Sequence, residues 1–179
     1  TEVYVRAIRK VIESGKQAIL LVPEIALATQ TLQRLLRRLP RVAVLHSGLS
    51  SAQRAFYWQQ IRDGHAGVVV GPRSAVFAPI RPEMLGLVVV DEEHESSYKQ
   101  DTAPRYHGRD VAIKRASITG TPVLLGSATP SMESYHNALN GRYNLLELPN
   151  RVKNLPMPRL EIVNLRREMQ PGRVELIGQ

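Results

Sequence analysis

The densest chemistry in the sequence is Asp91-Glu92-Glu93-His94, which directly follows the apolar run Leu87 to Val90. Three carboxylates at the end of one strand repel one another unless a cation shares the site, and Mg²⁺ carried by a nucleotide is the usual cation in such a setting. One carboxylate then holds the ion through water while its neighbour polarises the attacking water. The competing reading is a solvated acidic turn. A second constellation, Gly126-Ser127-Ala128-Thr129-Pro130-Ser131, follows the run Val123 to Leu125. Its small residues permit close backbone approach and its hydroxyls can bond a neighbouring loop, with His94 the natural partner if the two strands are close. Taken alone, it is an ordinary strand-to-helix turn with an N-cap.

Two further segments stand in the same relation to apolar runs. Pro23-Glu24-Ile25-Ala26-Leu27 follows Ala18 to Val22, and Gly71-Pro72-Arg73-Ser74-Ala75 follows Val68 to Val70. Each sets polar backbone and a helix start where amides, and Arg73, could hold phosphates. Either alone is equally well plain loop chemistry; their joint placement favours nucleic acid. The net charge points the same way. With 24 Lys+Arg against 16 Asp+Glu the chain carries +8, and nearly all of that excess lies before residue 91. A basic surface favours polyanions.

The elements that must position these residues are legible as periodicity. Five runs, Ala18 to Val22, Val42 to Leu45, Val68 to Val70, Leu87 to Val90 and Val123 to Leu125, are continuous and not alternating, as expected of strands covered on both faces. Between them, Tyr4, Ala7, Ile8 and Val11 predict a helix stopping near Gly15, and Leu32, Leu35, Leu36 and Leu39 predict another. Ser50 and Ser131 can cap helices running to about Arg62 and Asn140. Strand and helix alternate, so the expected fold is α/β, a mostly parallel sheet flanked by helices whose ligands gather at the carboxyl ends of the strands. Glu95 to Pro104 reads as a long polar loop. After Pro149 prolines interrupt the pattern, leaving one possible strand at Leu160 to Val163. The expected division is a domain over 1–148 and an exit segment over 149–179, whose arginines read as a solvated face and linker.

Composition sets the outer bounds. A chain of 179 residues with 43% hydrophobic residues suits one globular domain. No run of about 18 apolar residues could cross a bilayer, and the first ten residues do not form a signal peptide, so the expectation is a soluble, cytoplasmic protein with no membrane partner. Zero cysteines exclude disulfides and thiolate metal sites within these residues.

Taken in order, Pro-Glu-Ile-Ala-Leu, Gly-Pro-Arg-Ser-Ala, Asp-Glu-Glu-His and Gly-Ser-Ala-Thr-Pro-Ser resemble motifs Ia, Ib, II and III of the superfamily 2 helicases of DEAH-like type. More narrowly, His46-Ser47-Gly48-Leu49-Ser50 and the stretch from Ser96 to Asp110 resemble the bacterial primosomal helicases of replication restart. The resemblance covers about Thr1 to Leu148 and implies the first RecA-like motor domain of an ATP-dependent DNA helicase moving 3′ to 5′. It implies that Asp91 binds the Mg²⁺ shell together with Thr1, that Glu92 activates the hydrolytic water, and that His94 touches Ser127 or Thr129, with Ala128 between them, to link nucleotide state to DNA. Glu93 falls on the variable position of that box. Contact with DNA is implied for Pro23, Glu24, Ile25, Gly71, Arg73 and Ser74. For Tyr98, Lys99, Arg105, Tyr106 and His107 it is implied by likeness to an aromatic-rich loop that couples DNA binding to ATP hydrolysis, the alternative for Tyr106 and His107 being the start of a packed helix through Asp110. The implied partners are forked or single-stranded DNA, primosomal proteins and single-stranded DNA-binding protein.

Some features depart from that pattern. Pro72 stands where members often carry Thr, and Pro104 where some carry an aromatic. Thr1-Glu2-Val3-Tyr4 looks like the end of a Gly-Lys-Thr-Glu-Val-Tyr phosphate loop, so the expectation is a domain truncated before its P-loop, without the Walker A lysine and inactive alone. By the same resemblance a second motor domain and a zinc module would lie elsewhere in the parent. The rival expectations are another superfamily 2 translocase, RecG-like or acting on RNA, and a non-catalytic DNA-binding module.

Overall fold

The computed structural model describes residues 2–24, 33 and 36–149. Five parallel strands, β1 (Gln17–Leu21), β2 (Val42–Val44), β3 (Val68–Gly71), β4 (Leu85–Asp91) and β7 (Val123–Gly126), form a sheet in the order β2-β3-β1-β4-β7. Each expected apolar run is a strand. β3 and β4 are consecutive strands of this sheet in the chain yet lie on opposite sides of β1, so the winding reverses there and opens the carboxyl edge to ligands. A two-stranded antiparallel ribbon, β5 (Lys99–Gln100) and β6 (Tyr106–His107), stands apart from it.

Alternate residues of β1 explain why its run is unbroken. Ile19 and Leu21 enter a core with Val69, Val88, Val90, Ile61, Ala112 and Ala116, whereas Ala18, Leu20 and Val22 enter a second with Val5, Ile8, Val68, Val70 and Val89. Helices α2 (Ser51–Arg62) and α3 (Gly108–Thr119) supply the first core; α1 (Glu2–Glu13) supplies the second. The N-termini of α2 and of α4 (Met132–Leu139) are set by serines. The Ser50 hydroxyl accepts from the Gln53 amide in a reciprocal capping box, and the Ser131 hydroxyl accepts from that of Ser134. The compact unit closes at Tyr143.

Two expectations are corrected here. Glu95 to Pro104 is not a structureless loop, because Ser96–Tyr98 makes a 3-10 turn and Lys99–Gln100 pairs with Tyr106–His107. Tyr106 and His107 do not begin a helix, since their backbone is used by that ribbon and α3 starts at Gly108. Part of the predicted helix over Leu32 to Leu39, the possible strand at Leu160 to Val163 and the arginine-rich tail lie outside the described residues.

The carboxyl edge is held in place by tight approach. Gly126 pairs in register with Asp91, and a Cβ at Gly126 would fall on the hydroxyl of Tyr4. Only a residue without a side chain lets α1 bring Tyr4 to the tip of β4. Gly126→Ala is therefore expected to destabilise the protein by about 1–3 kcal/mol, the scale of overpacking. Chemical denaturation of the variant measures it, and an unchanged midpoint would mean that Tyr4 yields freely.

Candidate nucleotide and polynucleotide site

Every motif picked out by its chemistry reaches one rim. Pro23 and Glu24 follow β1, Gly71 ends β3 with Arg73 and Ser74 beyond it, Asp91 ends β4, and Ser127, Ala128 and Thr129 follow β7. This is the geometry of a parallel sheet: one end of all five strands faces one way. Thr1 and Ile25 lie outside the described residues.

The acidic tetrad divides by function. Asp91 Oδ1 accepts a hydrogen bond of 2.9 Å from the Tyr4 hydroxyl, and the Asp91 carbonyl accepts one of 2.6 Å from the Tyr98 hydroxyl. Burial, aided by the charge of Asp91, pushes both phenols well above their ordinary range, so each stays a neutral donor. Neither neutralises the aspartate. Among the described residues Asp91 has no lysine or arginine partner, and Glu92 meets only His94, with Nδ1 at 3.7 Å from Oε2. Glu92 also adopts φ +46°, a left-handed conformation unusual for a residue with a Cβ. Such strain persists where the surroundings over-determine the backbone.

His94 bridges to the neighbouring turn. Its Nδ1 shares a hydrogen bond of 2.7 Å with Ser127 Oγ, which in turn accepts from the Thr129 amide at 2.9 Å. The expected approach of His94 to the turn after β7 thus runs through Ser127, and Thr129 joins by its backbone.

Glu93 has a larger part than its variable position suggested. It is 1% exposed and receives the Ser131 amide at 2.6 Å, the Ser134 hydroxyl at 2.9 Å, the Ser131 hydroxyl at 3.1 Å and Arg109 Nη1 at 2.9 Å. Burial pushes its carboxyl up, but these four donors outweigh burial and hold it below the usual range; the same pairing raises Arg109 against its own burial. Tyr4, Glu93, Arg109 and Ser134 are the site residues that the motif reading missed. The i, i+3 placement of Ser131 and Ser134 at a helix start was the available signal; the partner at Arg109 had none, because it depends on where α3 packs.

The aromatic stretch is divided likewise. Tyr98 is 1% exposed, so its ring cannot stack on a base, and the expected DNA contact is corrected to a core strut. Arg73 is partly spent: Nε donates to Gln100 Oε1 at 3.0 Å and Nη1 to the Ser97 carbonyl at 2.8 Å, tying the turn after β3 to the ribbon. Gly108 keeps this junction close, since a Cβ there would lie 2.9 Å from that of Arg73. Tyr106 packs edge-on against Phe77 with centroids 5.2 Å apart, leaving Phe77 half exposed beside it. Burial lowers the His107 imidazole, with Asp110 opposing, so it is neutral near pH 7 and offers phosphate no charge. Lys99 and Arg105 are exposed, Lys99 with Asp101 at 3.1 Å and Arg105 on the Asp101 carbonyl at 3.0 Å.

A parallel sheet of this topology, with two carboxylates at the tip of β4 and a histidine bonded to the turn after β7, fits what the motif order suggested, and the chain belongs to the DEAD/DEAH box helicase family, whose pattern matches residues 1–138. It is similar to the replication restart protein PriA of Bacillus subtilis, 50% identical over 173 residues, which are 96% of this chain and 21% of that protein. PriA of Chlamydia pneumoniae is 42% identical over 99% of this chain and 24% of its own length, and that of Haemophilus influenzae 44% identical over 94% and 23%. The chain thus spans about a fifth to a quarter of the length of these relatives. Among solved structures, the C-terminal domain of S. cerevisiae Dbp5 bound to Gle1 and IP6 aligns with a TM-score of 0.48 at 15% identity over 80% of this chain and 82% of that one.

Two measurements test the tetrad. Glu93→Gln removes the charge that Arg109 and the α4 start require and is expected to cost about 3 kcal/mol. Because the folded carboxyl titrates below its unfolded value of about 4.3, that advantage is complete above pH 4.3 and vanishes as pH falls through the folded value; denaturation of both proteins across pH 3 to 7 reads it. A difference that persisted undiminished at pH 3 would refute the charge as its source. Glu92→Gly relieves a left-handed residue, so its stability is expected to match the wild type or exceed it by up to about 1 kcal/mol; a clear loss in thermal unfolding would refute the strain.

Proposed function

We propose that this chain is part of an ATP-dependent DNA helicase or translocase of replication restart, with ATP and Mg²⁺ bound at the tip of β4. What supports this most directly is the pairing at the sheet edge of two carboxylates, uncompensated by lysine or arginine among the described residues, with a His94–Ser127 hydrogen bond to the next strand's turn. The donor set suits a magnesium ion brought by a nucleotide. Asp91 Oδ1 takes the neutral Tyr4 hydroxyl, and no group of three or more acidic or histidine side chains among the described residues could hold a metal by itself. Asp91, with Thr1, would hold the ion's water shell. The bound ion would supply charge neutralisation to the phosphates.

The chain's own residues do the rest. Glu92, held by its strained backbone, orients and deprotonates the attacking water; His94 senses the position of Glu92 and passes it to Ser127 and the Thr129 amide. Glu93, locked to Arg109 and α4, keeps the frame rigid while its neighbours move. On the polynucleotide side Pro23, Glu24, Gly71, Ser74, Lys99, Arg105 and Tyr106 line the same rim, the ribbon reporting through Arg73 and through Tyr98 to the Asp91 carbonyl. We extend the reading to 3′ to 5′ stepping on forked or single-stranded DNA in the bacterial cytoplasm, with primosomal proteins and single-stranded DNA-binding protein as partners and zinc confined to other parts of the parent. The similarity to the replication restart protein PriA supports the placement in replication restart.

The test is a chimera in which these residues replace their counterpart in the Bacillus subtilis relative. DNA-stimulated ATP hydrolysis is expected to persist, and Glu92→Gln to lower it by about 10²–10⁴-fold, the usual worth of a general base. A chimera that hydrolyses ATP equally fast with Glu92→Gln would overturn the assignment.

A further inference from the structure

Away from the tetrad, the rim contains a cavity of about 360 Å³ whose walls come from five separate parts of the chain, Gln100 of the ribbon among them. Glu24 follows β1, His46 follows β2, Arg54 and Trp58 come from α2, and Arg73 and Ser74 from the turn after β3. Arg54 and Trp58 are four residues apart on one helix and so share a face. Trp58 is 41% exposed, although an indole of that size ordinarily finds a core to enter; α2 sends only Ile61 into full burial. A large flat ring is left lining the hollow, beside apolar neighbours such as Leu49 and Pro72 and the two arginines.

The charges beside it are selective. Arg54 has no acidic partner within 4.0 Å among the described residues, and Arg73 spends its Nε and Nη1 on neutral oxygens, which leaves its charge uncompensated. Against these two cations the cavity offers one carboxylate, Glu24. A cavity of this size holds about one nucleotide unit, and an aromatic face with guanidinium groups at its edge is the arrangement that takes an unpaired base by stacking and its phosphates by paired hydrogen bonds. An acidic peptide would satisfy the arginines but leave the indole face without purpose.

We propose that this cavity is a subsite for one nucleotide of a single strand, with Trp58 stacking on the base and Arg54 and the free edge of Arg73 holding the flanking phosphodiesters. The inference rests on the polynucleotide reading above and adds to it a residue, Trp58, outside all the motif segments. It makes α2 part of the track, upstream of the ribbon.

Trp58 is the single tryptophan of the sequence, so its emission reads this site alone. The 179-residue chain is titrated with a labelled oligo-dT at low salt, following label anisotropy and indole emission together. Anisotropy is expected to rise and emission to be quenched with the same midpoint. Trp58→Ala is expected to weaken binding about tenfold, the scale of one base stack, and Trp58→Phe to restore it to within about twofold. Arg54→Gln should reduce the slope of log affinity against log salt by about 0.7, one phosphate on a single strand. A rise in anisotropy with unchanged emission would overturn the subsite and leave the polynucleotide reading standing; no rise at all would overturn both. Equal quenching by dTMP and by the oligonucleotide at matched concentration would make it a mononucleotide pocket, and an acidic peptide that displaces the DNA and quenches alone would make it a peptide site. The wild-type emission needs no variant, so the outcome does not depend on how Trp58→Ala folds.

Discussion

The approach of β7 and α1 to the tip of β4 is the constraint from which the rest follows. Gly126 in register with Asp91 leaves room for the Tyr4 hydroxyl to reach the aspartate, and from the other side the Tyr98 hydroxyl reaches the Asp91 carbonyl. Two phenols thus grip one residue, one by side chain and one by backbone. Both are neutral, so they fix its place without cancelling its charge, which a lysine in either position would do. A carboxylate meant to meet a cation must be held by groups that do not compete with that cation.

The same logic divides the tetrad. Glu93 is the carboxylate that is paid in full, with an arginine, a backbone amide and two hydroxyls. Its desolvation is offset locally, and in return it joins the turn after β4 to α3 and to the start of α4. Glu92 and His94 flank it with little support. Under the proposed function a locked residue between two lightly held ones would keep the frame still, so that displacement of Glu92 relative to Ser127 would not be absorbed by drift of the whole turn.

The sheet was legible in the sequence because buried parallel strands need apolar residues on both faces, and the runs at 18–22, 68–70 and 87–90 have no polar interruption. Helix starts at Ser50 and Ser131 were legible for an equally local reason, a hydroxyl ahead of unpaired amides. The carboxyl rim followed from the topology. Apart from the approach of His94 to Ser127, what escaped was largely what side-chain fate after packing decides. Tyr98 and Tyr106 are the same residue type in the same stretch, yet one is a core strut and the other a half-buried surface ring, and no periodicity separates them across a two-residue strand. Arg73 and Arg109 are both basic residues beside polar turns, and only the position of α3 shows that one braces the ribbon while the other neutralises Glu93. Tyr4 was read as an apolar position of α1 and as the end of a phosphate-loop sequence, and neither reading assigns its hydroxyl, which gains meaning 87 residues away.

These internal commitments change how a polynucleotide edge can speak to a nucleotide edge. Tyr98 is not free to grasp a ligand and Arg73 keeps only its remaining edge for one, but together they join the turn after β3, the ribbon and the backbone of Asp91 in one short chain of hydrogen bonds. A strand pressing on Lys99, Arg105 or Tyr106 would push on a ribbon tied by hydrogen bonds to the turn after β3 and, through Tyr98, to Asp91. Under the proposed function exposed side chains would make the contact, and buried ones would carry its displacement to the carboxylate. That separation would allow the outer residues to exchange one nucleotide for the next while the inner hydrogen bonds stay made, since breaking a buried one would cost more than a single surface contact returns.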